Sequence, residues 1–108
     1  MTHILRGNGL LATAIEAVRR MQVELVDELH EMGPADVALG FQRTTIEDLQ
    51  EVDTLLNKLY CHQLLWNEDR LLLRECVLAR WDALNMDGAT APEQRVMGEC
   101  DKILELTK

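Results

Sequence analysis

Between Phe41 and Asp87 the chain contains neither glycine nor proline, and no other feature limits its fold so strongly. Breakers gather in only three places: Gly7-Asn8-Gly9, Gly33-Pro34 through Gly40, and Asp87-Gly88 through Pro92. An all-β domain of this length needs many more turn residues. Leu, Ala, Glu, Met, Arg and Gln are plentiful and aromatics make up only 4%, so helix formers outweigh strand formers. An all-α chain follows, read as a single helical domain over residues 1–108 with residues 1–8 flexible. No low-complexity stretch or internal repeat interrupts it.

The first predicted helix runs from about Leu10 to Met32. Leu11, Ile15, Val18, Gln22, Leu25, Leu29 and Met32 alternate at spacings of four and three, a heptad-like seam with one polar break at Gln22. Asn8 is placed to cap its start, and Gly33-Pro34 stops it. The second begins at Thr44-Thr45-Ile46-Glu47, a capping-box pattern. Leu49, Val52, Leu56, Leu59, Trp66, Leu73, Val77, Trp81 and Leu84 stay on one broad helical face. That shared phase favours a single helix of roughly 40 residues, about 60 Å long, over a hairpin. The third opens at Thr90-Ala91-Pro92-Glu93 and carries Val96, Met97, Cys100, Ile103 and Leu104 as its apolar stripe.

At lengths of about 35 Å and 24 Å, the outer helices can fold back along the two halves of the central one. The expected architecture is therefore an elongated bundle of three helices. It is only two helices thick, too thin to cover Leu64, Leu65, Leu71, Leu72 and Cys76. A second copy would complete it, with Arg70 and Arg74 in the same dimer interface. The alternative is a monomeric four-helix bundle turning near residues 67–69.

Electrostatics narrows the function classes. With 19 acidic and 11 basic residues the formal charge is −8, which repels nucleic acid and anionic lipid. No apolar run approaches the roughly 18–20 residues of a membrane span. The N-terminal residues lack the pattern of a secretory signal, and three cysteines make a poor disulfide framework, so a cytoplasmic location is expected.

Chemical motifs are sparse. Asp27-x-x-His30 has the spacing of a di-iron half-site but lacks the remaining ligands. Cys61-His62 would project in different directions on a helix, and a buried or half-buried thiol is the expected state of Cys61. No glycine-rich phosphate cradle or nucleophile elbow is present. The expectation is a protein that is not an enzyme, with no cofactor, metal or catalytic residue.

The remaining signal is a stripe of acids. Glu24, Asp27, Glu28 and Glu31 crowd the end of the first helix, where they oppose its dipole, and no Lys or Arg occurs between Met21 and Gln42. Glu47 and Glu51, with Asp48 and Asp53, extend the acidic region. Such a face suits a basic protein partner, making the chain a regulator, adaptor or inhibitor. A nucleic-acid mimic is the alternative, although the arginines from Arg70 to Arg80 would interrupt a phosphate-like ribbon. A bundle holding a small ligand is a third reading. Gln63, Asn67, Arg70 and Arg74 form a polar stripe, expected to fix register between two chains by pairing with acids of the neighbouring subunit.

Overall fold

The computed structural model describes residues 9–108; the expected flexibility of residues 1–8 and the Asn8 cap lie outside the described residues. Among the described residues every regular element is a helix: α1 (Leu10–Glu31), α2 (Pro34–Ala38), α3 (Phe41–Tyr60), α4 (Asn67–Met86) and α5 (Ala91–Leu106).

The boundaries follow from local chemistry. Gly9 caps α1 in the left-handed region at φ 78°, and its carbonyl accepts the Thr13 amide at 3.0 Å. Pro34 opens the short α2, where the sequence predicts only a break, and the Asp36 carboxylate accepts the Gly33 amide at 3.0 Å. Helix α3 starts three residues before the expected Thr44 cap. Gly40, at φ 83°, precedes it, the Thr44 hydroxyl donates back to the Gly40 carbonyl, and Glu47 pairs with Arg43 instead of closing a box. The Thr90–Glu93 box forms as expected. Thr90 donates from its hydroxyl at 2.8 Å and from its amide, and these bonds hold the Glu93 carboxyl below its ordinary range.

The continuous central helix is not what the chain forms. It breaks over residues 61–66, and the longest dimension of the molecule, 45 Å, could not hold a rod of about 60 Å. Helix α3 ends in a Schellman motif: the His62 amide donates to the Leu59 carbonyl and the Gln63 amide to Lys58, at 2.9 Å. His62 occupies the left-handed position at φ 53°, where glycine is usual. Nor does the turn fall at residues 67–69, the alternative that the sequence offers. Those residues are the first turn of α4, where the Asp69 carboxylate accepts the Trp66 amide at 2.9 Å. The same carboxylate binds Lys58 at 2.8 Å, joining the end of α3 to the start of α4.

Helix pairing follows the expectation in part. Helix α1 lies along α3 and α5 along α4, but α1 also packs on α4 and α5. Helices α3 and α4, though consecutive, are the most sparsely packed of the helix pairs in contact. The α1–α3 pair is antiparallel, with Arg19 bonded to Tyr60 and Gln22 to Asp53. The polar break in the seam is thereby satisfied within the chain. Val18, Val52, Leu55, Leu59, Leu73, Cys76, Val77, Cys100 and Ile103 form the core. The protomer is therefore not two helices thick throughout. Leu65 and Cys76, assigned by sequence to a second copy, are covered by the chain's own helices, and Leu72 is half-buried against the same core.

The Lys58–Asp69 pair offers a direct test of the hairpin. On a continuous helix these residues would stand roughly 16 Å apart and act independently. In a double-mutant cycle with Lys58→Met and Asp69→Asn, urea unfolding should report a coupling of about 1 kcal/mol, because both groups are largely shielded from solvent. Strictly additive effects would contradict the hairpin.

Candidate functional site

The acidic stripe read from the sequence is divided among three places. Glu24 lines a cleft between α1 and α4. Glu28 and Glu31 border a shallow notch of about 370 Å³ with Asp36, Phe41 and Thr44. Asp27 is exposed on the same helix. Among the described residues, none of these four α1 acids has an ion-pair partner, so their conflict with the helix dipole stands uncompensated.

Glu47 and Glu51 meet a different set of residues. They line a groove of about 680 Å³ between α3 and α4, facing Glu68, Asp69 and Glu75 across it. The groove exists because α3 and α4 diverge from their junction at Lys58–Asp69. Glu47 and Glu51 are one helical turn apart on α3, and Glu68, Leu71 and Glu75 recur at spacings of three and four on α4. Each helix thus turns one acidic edge toward the other. Gln50 and Thr54 complete the α3 wall, and Leu71 and Leu72 supply an apolar strip. Leu71 is 64% exposed, with Glu68 and Glu75 one turn to either side of it on α4.

No basic side chain lines this groove. Asp69 is neutralised by Lys58, and Glu47 has an exposed pair with Arg43 at 3.2 Å, a contact of little energetic weight. Glu51, Glu68 and Glu75 have no ion-pair partner among the described residues. The negative field reaches inward. Burial is the main reason the Cys76 thiol is pushed up to about 12, and the charges of Glu75 and Glu24 push in the same direction.

The residues expected at a dimer interface scatter likewise. Leu71 and Leu72 border the acidic groove, Leu64 is exposed in the α3–α4 loop, and Leu65 and Cys76 are core. Arg74 does not await a neighbouring subunit's acids. Its guanidinium donates to the Leu104 carbonyl and to the Thr107 hydroxyl, capping the C-terminal end of α5. Arg70 is half-buried, with its Nε lacking a partner among the described residues.

Sequence reasoning missed Glu68 and Glu75 because it followed the acids of the first helix. Their spacing around Leu71 was the available signal, and only a hairpin sets it opposite Glu47 and Glu51. Cys61 is also corrected: the helix ends before it, leaving it exposed instead of buried. Among the described residues no group of three or more His, Cys, Asp or Glu side chains gathers to hold a metal ion, and no helix is long and apolar enough to cross a membrane. Compared with protein-family models, curated proteins and solved structures, the chain matches none of them.

The cysteines give a measurable consequence. Burial raises Cys76 to about 12 and Cys100 to about 11, the nearby Arg80 charge partly opposing the rise at Cys100. At pH 8, a thiol reagent should modify Cys61 in the folded chain and reach Cys76 and Cys100 only on unfolding. Below the ordinary thiol value of 9.0 both buried groups are neutral in either state, so their contribution to stability is complete there. Above it the unfolded chain alone ionises, and stability should fall as the pH climbs toward about 12. Cys76→Ala should flatten that fall in alkaline denaturation curves.

Proposed function

We propose that the protein is a non-enzymatic interaction module whose α3–α4 groove receives a basic, amphipathic segment of a protein partner. The observation that carries this reading is the pairing of carboxylates from two helices around the exposed Leu71, with no basic residue in the lining. A helix bearing leucines on one edge and lysines or arginines on either side would match both features. Its apolar edge would cover Leu71, and its cations would answer Glu51, Glu68 and Glu75. The acids of α1 then serve as a wider field that steers such a partner toward the molecule. Regulator, adaptor and inhibitor roles all use a surface of this kind.

Homodimerisation is a separate proposal, supported by the exposure of Leu64, Trp66 and Leu71 near one end of α4. The sequence argument for it, a protomer too thin to bury its own leucines, is weakened by the fold. Light scattering across a dilution series addresses it independently of the groove.

Binding is tested with a synthetic Lys/Leu amphipathic helix and its Glu/Leu counterpart as control. The basic peptide should perturb amide resonances along residues 47–54 and 68–75, and its affinity should fall as salt is raised. Replacing Glu47, Glu51, Glu68 and Glu75 by Gln should weaken binding by roughly tenfold or more, as expected for lost charge pairs beside a desolvated contact. The same change at Glu24, Asp27, Glu28 and Glu31 should chiefly slow association. Undiminished affinity in the groove variant would remove the proposal.

A further inference from the structure

The cleft between α1 and α4 differs in character from every acidic surface described above. It encloses about 700 Å³, within the general range of small-molecule sites. Its apolar lining joins the buried Ala17 and Cys76 to the more exposed Ala12, Ala79 and Ala83, with Ile15 from α1 beside them. Its charges are Arg19, Arg20 and Arg80 against Glu16 and Glu24, a formal balance of +1 on a chain whose total is −8. Cations are concentrated here and nowhere in the α3–α4 groove.

Arg80 is the unusual member. Its side chain is 13% exposed, yet its ion pair is a long one, Nη2 to Glu16 Oε1 at 3.5 Å. That same oxygen is already bound by Arg20 at 3.0 Å. The Nε of Arg80 is buried and has no hydrogen-bond partner among the described residues. One carboxylate oxygen therefore serves two guanidiniums, and a largely shielded cation is left under-compensated beside an apolar lining. A guanidinium in that situation is best satisfied by an oxyanion that accepts from two of its N–H groups in one plane.

We infer that this cleft binds an amphipathic monoanion, an extended apolar molecule bearing one carboxylate. Its apolar body lies over Ala12, Ala79 and Ala83, and its carboxylate meets Arg80, with Arg20 beside it. Charge fixes the class: a neutral apolar ligand leaves Arg80 as it is, and a dianion exceeds the local surplus. The four alanines of the lining, Ala12, Ala17, Ala79 and Ala83, leave room for a chain-like body. The site stands on a different face from the acidic groove, so the two readings can fail separately.

Decanoate and decanol, each kept below self-association, form a matched pair of probes that differ in the anionic head. Decanoate should bind saturably and shift amide resonances of residues 12–24 and 76–83, leaving 47–54 unmoved. Decanol should bind about tenfold more weakly, the effect of one charge-assisted contact. Arg80→Met should weaken decanoate by a similar factor and leave decanol unchanged, and Ala83→Leu should weaken both by filling the cleft. Glu16→Gln gives a test that does not depend on Arg80→Met folding. Freeing two guanidiniums from their shared carboxylate should tighten decanoate binding several-fold. Equal binding of decanoate and decanol, absence of saturable shifts, or indifference to Glu16→Gln would each overturn the inference.

Discussion

Close approach to α1 is the constraint on which the other packing depends. Ala14 and Ala17 are essentially without solvent exposure, and Thr13 and Val18 are buried beside them. Small side chains on more than one face let neighbouring backbones come near from several directions at once. Helix α1 accordingly touches α3, α4 and α5, and the Thr13 hydroxyl donates to the Glu99 carboxylate of α5. A larger residue at Ala14 or Ala17 would force these partners outward together, because they share one helix as their common support.

The same arrangement redistributes charge. Lys58 is turned to the α3–α4 junction, Arg74 to the end of α5, and Arg80 into the α1–α4 cleft. Three of the eleven basic residues are thereby committed to internal contacts. Acids are committed alongside them: Asp69 binds Lys58, Glu16 binds Arg80, Asp53 accepts from Gln22 and Glu99 from Thr13. Arg74 alone of the three turns to neutral oxygens, those of Leu104 and Thr107, and Arg80 joins Arg19 and Arg20 in lining the α1–α4 cleft.

The legible part of the fold was its helical content, the span of α1, the Thr90–Glu93 start of α5, and the pairing of α1 with α3 and of α4 with α5. What could not be read is traceable to particular residues. The α3 stop has no glycine, because His62 takes the left-handed position and the Schellman bonds come from the backbone alone. Phase was no guide either. Leu59 and Val77 are 18 residues apart, about five full turns, so their stripes align equally well on one rod or on two inward-facing helices. The cover over Ala14 and Ala17 was hidden by their size, since a seam drawn through the larger apolar residues passes beside them. At the site, Glu47 and Glu51 were visible as acids, but their counterparts Glu68 and Glu75 acquire meaning only once the chain reverses. The cationic cleft has no linear signature, because Arg19, Arg20 and Arg80 come from distant parts of the sequence.

The sparse contact between α3 and α4 also has a bearing on how the molecule moves. Helices α2 and α3 are held mainly through one flank of α1, while α4 and α5 hold its other side and each other. The chain is thus two leaves on a common spine, bound at one edge by Lys58 and Asp69. Opening the α2–α3 leaf exposes its face toward α1 but leaves the α1–α4–α5 contacts in place. A cooperative unit of that kind opens at lower free energy than the whole. A guest lodged between α3 and α4 would clasp both leaves, so binding there would register as slower hydrogen exchange along α3, far beyond the residues it touches.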